Sequence, residues 1–105
     1  MTRPRLAIVL AFSLAVLVSV PVLAHAVVLR TDPVDGAVLA DAPSHIRLWF
    51  SEEIAVSLST FTLSASNGEV IPIAAVQADA ADPTLVIIDV PKLKPGAYRV
   101  MWNVL

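Results

Sequence analysis

Residues 45–51, with the sequence HIRLWFS, alternate apolar and polar side chains along one short segment. One side of the alternation carries Ile46, Leu48 and Phe50, and the other carries His45, Arg47 and Trp49. A repeat of two residues is typical of a β-strand with one buried face. The stretch therefore predicts a strand whose apolar side faces a core. The opposite side is more polar, although a tryptophan stands on it.

Similar short segments precede and follow this strand, separated by turn-forming residues. The segment 32–36, DPVDG, is rich in turn formers, and Asn67-Gly68 divides residues 60–76 into a hairpin with Val76 in its returning half. The segment 77–83, QADAADP, is expected to be a polar loop. The predicted strands are 27–29, 45–51, 61–65, 70–76, 84–90 and 97–105. We therefore predict an all-β fold, an immunoglobulin-like or Greek-key sandwich or a barrel, without a helix of useful length.

The last predicted strand raises the question of how its edges are covered. Tyr98, Val100, Trp102 and Val104 alternate on one face, and the sequence stops at Leu105 without a turn or a polar tail. An unpaired strand edge promotes aggregation. We expect the chain to be a fragment that lacks the last strand of the fold; the alternative is a domain that ends here.

The first 24 residues have the features of a secretory signal peptide. A head with two arginines precedes an apolar run over residues 6–20, and the small residue Ala24 stands where cleavage would occur. The apolar run has 15 residues, fewer than the about 20 that a membrane-spanning helix needs, which argues against an uncleaved anchor. We predict residues 1–24 as the signal peptide and a mature chain that begins at His25.

The composition of residues 25–105 limits the possible functions. These 81 residues form one small domain, and without Arg3 and Arg5 they carry five basic and nine acidic residues, a formal charge of −4. This charge argues against nucleic acid or an anionic membrane surface as a partner. The chain has no cysteine, so disulfides cannot stabilise it, and a metal or a sufficient β-core must do so.

Motifs in two stretches, 24–54 and 93–105, occur in a recognisable order. A histidine at the cleavage site precedes a strand, a Pro-x-Asp-Gly turn, an Ala-Pro break, a strand ending in Phe-Ser-Glu, and later Leu-x-Pro-Gly-x-Tyr-x-Val-x-Trp. The matching residues are Pro33, Asp35, Gly36, Ala42, Pro43, Phe50, Ser51, Glu52, Leu93, Pro95, Gly96, Tyr98, Val100 and Trp102. Across residues 25–105 this set resembles the periplasmic copper-resistance CopC family.

The resemblance implies a small β-sandwich or barrel that binds copper in the periplasm. In the family, Cu(II) is held by the amine and imidazole of the N-terminal histidine and by an Asp-x-His motif beyond the Tyr-x-Val-x-Trp strand. The sequence ends at Leu105, so neither residue of that motif can be assigned here. Some members also hold Cu(I) in a loop rich in methionine, but residues 64–76 contain neither Met nor His.

His25 has a chemical basis as a copper ligand that does not depend on the resemblance. An N-terminal histidine offers its α-amine and Nδ1 to one metal in a six-membered chelate ring, and this donor pair suits Cu(II). The alternative is that a histidine stands at the cleavage site by chance.

Glu52 is the second predicted metal residue, because a glutamate at this point of the motif lies near the metal in some family members. It would be a weak ligand or an orienting partner; the alternative is a solvated carboxylate. His45 matches no family ligand and is expected to be a surface histidine.

These observations predict a periplasmic copper-ion-binding protein of copper homeostasis and resistance, which sequesters Cu(II) or delivers it, for example to an inner-membrane copper transporter. We expect no enzyme, since oxidative copper enzymes with an N-terminal histidine need a second histidine and a broad substrate face. We also expect no nucleic-acid binding and no membrane insertion after signal cleavage. The alternatives are a β-sandwich interaction module that binds no metal and a truncated, non-functional fragment.

Overall fold

The computed structural model describes residues 26–105, which form seven β-strands and one short 3₁₀-helix. The predicted signal segment and His25 lie outside these residues. The strands are β1 (Val28–Asp32), β2 (His45–Phe50), β3 (Thr60–Ala65), β4 (Val70–Ile71), β5 (Ala75–Ala78), β6 (Leu85–Asp89) and β7 (Tyr98–Asn103), with the 3₁₀-helix at Val56–Leu58.

The strands form two antiparallel sheets, which confirms the predicted all-β class. One sheet has the order β1-β2-β6-β5, and the other has the order β4-β3-β7. The chain passes between the sheets three times, after β2, after β4 and after β6. This two-layer arrangement lets each sheet cover the apolar face of the other.

The core lies between the sheets and follows the alternation of HIRLWFS. Ile46, Leu48 and Phe50 are buried, with exposed fractions of 8%, 1% and 2%, as the sequence predicts. The other buried residues of this cluster are Ile54, Leu63, Val86, Ile88 and Val90. Burying one such side chain contributes about 1.5–3 kcal/mol, so this cluster supplies much of the stability.

The predicted hairpin around Asn67-Gly68 is confirmed, but its returning strand is shorter than predicted. β3 pairs with β4, Gly68 has a φ of +89° that favours glycine, and the Gly68 N–H donates to the Ala65 carbonyl at 2.9 Å. Pro72 follows Ile71 directly and has no N–H to donate to a continued ladder. The chain then crosses to the other sheet.

Val76 therefore lies in β5 rather than in the hairpin, and it pairs with Ile88 of β6. β5 also includes Gln77 and Ala78, for which the sequence predicts a loop. Both residues are exposed, which fits an edge strand, since β6 supplies their backbone partners on one side only within residues 26–105. The two strands are joined by a tight turn over residues 79–84, in which the Asp79 and Asp82 carboxylates accept backbone N–H bonds.

β7 pairs with β3 along its whole length and forms an edge of the three-stranded sheet as described in residues 26–105. Its inward face is the predicted one, although Trp102 remains 40% exposed. The Trp102 ring meets Phe50 edge-on, with ring centroids 6.3 Å apart. The Tyr98 hydroxyl donates to the Lys94 carbonyl at 2.6 Å and fastens the loop that precedes the strand.

Candidate functional site

The start of the described chain is attached to the end of β2 by two hydrogen bonds. The Val27 N–H donates to the Ser51 Oγ at 3.0 Å, and the Ser51 N–H donates to the Val27 carbonyl at 2.8 Å. Ala26, the residue joined to His25, is half-buried and packs against the core. These contacts fix the position from which residue 25 must extend.

Glu52 follows Ser51 at this end of the sandwich. Its side chain is exposed, and neither of the ion pairs formed within residues 26–105 includes it. The backbone bends at Ser51 and Glu52, and Ile54 returns the chain to the core with only 4% exposure. Glu52 therefore follows directly after the residue that holds Val27, and its side chain is exposed to solvent.

The second sheet reaches the same end of the molecule through its strand β7. The Ala55 N–H donates to the Leu105 carbonyl at 2.8 Å, and the Ser59 hydroxyl accepts the Leu105 N–H at 3.0 Å while donating to the Ala55 carbonyl at 2.8 Å. The end of β2, the end of β7 and the residue after His25 thus lie together.

Of the two residues predicted to bind metal, the structure describes only Glu52. His25 lies outside the described residues, whereas Glu52 lies at the end of the sandwich where Ala26 is fixed. No group of three or more His, Asp or Glu side chains in residues 26–105 is arranged to hold a metal ion. The donor set fits Cu(II) only if the amine and imidazole of residue 25 provide the nitrogen ligands, with carboxylate oxygen added by Glu52.

His45 lies at the opposite end of β2, about 20 Å from Ser51 at about 3.4 Å per residue. Its Nε2 is 3.2 Å from the Asp89 Oδ1, and its Nδ1 is 2.9 Å from the Ser44 hydroxyl. His45 is exposed, as the sequence predicts. Its pairing with Asp89 was missed, because it depends on the register of β2 against β6, which places the two residues opposite each other.

The outer face of β2 also explains why a tryptophan stands on its polar side. The Arg30 guanidinium of β1 lies over the Trp49 ring at 3.7 Å from its centroid, a cation–π contact that covers the indole. Trp49 therefore packs at the surface of the sheet.

Comparison with known protein families identifies the family of this fold. Residues 28–105, about three quarters of the chain, match the CopC domain family. The chain belongs to the CopC domain family. The resemblance inferred from its motifs is thus confirmed, and every element from β1 to β7 falls within the CopC domain.

Solved structures agree with this fold. CopC from Methylosinus trichosporium OB3b superimposes with a TM-score of 0.71 at 23% identity, over 77% of this chain and 78% of that one. PcoC, a methionine-rich copper resistance protein from Escherichia coli, has a TM-score of 0.64 at 28% identity, over 78% of this chain and 84% of that one. A search of curated proteins found no match. The CopC domain described here contains one methionine, Met101, which is half exposed.

Nowhere in residues 26–105 does a helix reach the length and apolarity that a membrane crossing needs.

Proposed function

We propose that this CopC domain is a periplasmic copper-ion-binding protein that acts in copper homeostasis and resistance. The observation that carries the proposal is the pair of hydrogen bonds between Val27 and Ser51, which joins the residue two positions after His25 to the residue directly before Glu52. Family membership and the likeness to a copper resistance protein support copper as the metal. Export with cleavage before His25 provides the free amine that the site needs.

The proposed site binds Cu(II) through two nitrogens of one residue. The α-amine and the imidazole of His25 form a chelate ring, and the Glu52 carboxylate completes part of the coordination with an oxygen donor. Amine and imidazole in tetragonal geometry select Cu(II) over the other first-row divalent ions in the Irving–Williams order. The Ser51 end of the sandwich carries the ligands, while the core below provides a rigid support.

Copper is here a cargo rather than a catalytic cofactor. The protein sequesters Cu(II) or delivers it, and an inner-membrane copper transporter is the kind of partner that would receive it. The negative charge of residues 25–105 favours encounter with cations. We assign no catalytic residue, since the proposed ligands belong to one chelate and to one exposed carboxylate.

Titration of the mature protein with Cu(II), followed by electron paramagnetic resonance, tests this proposal. We expect a nitrogen-ligated Cu(II) spectrum in the parent and the loss of most binding in His25→Ala, because that change removes the imidazole and the chelate. Acetylation of the N-terminus removes the amine lone pair and should weaken binding similarly. His45→Ala is the matched control and should bind like the parent.

Binding should also strengthen as the pH rises from 5 to 8. Both nitrogen donors must lose their protons, and α-amines titrate at about pH 7.7–8.0 and imidazoles at about pH 6.5. A protein that binds no Cu(II) at pH 8 would favour a metal-free interaction module or a non-functional fragment. Equal affinity of His25→Ala and the parent would contradict the assignment of the ligand.

A further inference from the structure

Ser51 makes a bond that a regular strand would not make. In a regular antiparallel pair the backbone carbonyl of one residue accepts the N–H of its partner. Here the Ser51 side chain takes that place, because its Oγ accepts the Val27 N–H at 3.0 Å while its own N–H donates to the Val27 carbonyl at 2.8 Å. One residue thus provides both contacts that hold Val27.

The side chain replaces the backbone carbonyl as acceptor because the backbone bends at Ser51 and Glu52. The chain leaves the first sheet at this point, forms the 3₁₀-helix and then enters the other sheet as β3. The hydroxyl of Ser51 extends the pairing by one residue beyond the last strand position, Phe50. Val27 is 55% exposed, so without the hydroxyl its N–H would be left to water.

The pairing of β1 with β2 ends directly before the proposed copper ligands. Val28 pairs with Phe50, Val27 is held by Ser51, and the next residues outward are Ala26 on one chain segment and Glu52 on the other. A loose Val27 would let the segment before it move relative to Glu52. A chelate that needs an amine, an imidazole and a carboxylate in one place loses affinity when its parts are free to separate.

We infer that Ser51 is a positioning residue for the copper site, whose hydroxyl holds the N-terminal segment so that the ligands of residue 25 and of Glu52 converge. This inference rests on the proposed function. It assigns Ser51 no contact with the metal. Its contribution is made before copper binds, through the order it imposes on residues 26 and 27.

The decisive variant is Ser51→Ala, with Ser51→Thr as the conservative rescue. In the copper-free protein, the Val27 amide should exchange with solvent faster in Ser51→Ala than in the parent. Cu(II) affinity should fall by about 2- to 10-fold, the range that corresponds to one hydrogen bond, and the paramagnetic resonance lines should broaden through mixed coordination. Ser51→Thr keeps the hydroxyl and should restore all three properties.

Ser59→Ala is the matched control, because the Ser59 hydroxyl also ties a chain segment, bonding the Leu105 N–H and the Ala55 carbonyl. It should lower the stability to urea without changing Cu(II) affinity or the Val27 exchange rate. Equal Cu(II) affinity and spectra in Ser51→Ala and the parent would overturn the positioning role of Ser51 and leave the proposed function in place. Failure of the parent to bind Cu(II) would overturn the proposed function, which separates the two failures. A loss of affinity in Ser59→Ala as large as in Ser51→Ala would show a general effect of stability and would also overturn the role of Ser51.

Discussion

Asp82 shows how a single carboxylate organises the turn between β5 and β6. It accepts the Thr84 hydroxyl at 2.6 Å and the Thr84 N–H at 3.1 Å. The hydroxyl bond, followed by the backbone bond, holds the pKa of Asp82 below its ordinary value. Thr84 in turn directs its carbonyl to the Phe50 N–H at 2.9 Å, so this turn reaches the end of β2 that carries Ser51.

Thr84→Val should raise the pKa of Asp82 toward its ordinary value, because it removes the larger of the two causes while keeping the backbone bond. In the parent, the depressed pKa contributes stability that is present above the unfolded-state pKa, about 3.9 for aspartate. That contribution is lost as the pH falls through the lower folded-state pKa. Carboxylate titration by NMR checks this. Thr62→Val is the control, because Thr62 lies in β3 of the other sheet and its replacement should leave the Asp82 titration unchanged. An unchanged Asp82 titration in Thr84→Val would contradict the prediction.

The two predicted metal residues show how far single positions can be assigned from sequence. His25 and Glu52 were selected by motif and ligand chemistry, and both assignments stay predictions. The role of Ser51 could not be found in this way, because it depends on the bend after Phe50 and on the register of β1. A serine at a strand end has many possible roles in a sequence, and only the 3.0 Å contact with the Val27 N–H distinguishes this one.

The strands were predictable wherever a two-residue alternation coincided with burial. β2, β6 and the β3–β4 hairpin follow directly from side-chain pattern and from Asn67-Gly68. For the residues of β5 the sequence predicts partly a hairpin strand and partly a loop, because the crossing between sheets after Pro72 leaves no periodic signal in so short a segment. Tertiary pairing with β6 decides the conformation of Gln77 and Ala78.

The edge of β7 leads to a prediction about association. Within residues 26–105 this strand pairs only with β3, and Met101 on its outer face is 50% exposed. A protein consisting of residues 25–105 should therefore self-associate at high concentration through this edge. Met101→Lys should weaken association by about 0.2–1 kcal/mol, since like charges would face each other across the paired edges.

Sedimentation velocity over a range of concentrations measures this effect. Val70→Lys is the matched control, because β4 forms the other edge of the same sheet but is only two residues long, and it should change association little. A protein that remains monomeric and unfolds cooperatively at high concentration would contradict the prediction and would show that the β7 edge is protected.

The molecule as a whole places Ala26, the residue that follows His25 in the sequence, and His45 at opposite ends of the sandwich. The Ser51 end gathers Ala26, Glu52 and the end of β7, whereas His45 lies with Asp89 at the other end of β2 and β6. About 20 Å of strand separates them. Copper bound through residue 25 and copper bound by the His45–Asp89 pair would therefore affect separate sets of residues.

NMR of the ¹⁵N-labelled mature protein during addition of Cu(II) tests the position of the copper site most directly, because the unpaired electron broadens the signals of nearby amides. We predict early loss of the Val27, Ser51 and Glu52 signals, with those of His45, Gly68 and Asp89 retained until excess copper is present. Broadening that begins at His45 and Asp89, with Val27 and Ser51 unaffected, would contradict a copper site at the Ser51 end of the sandwich.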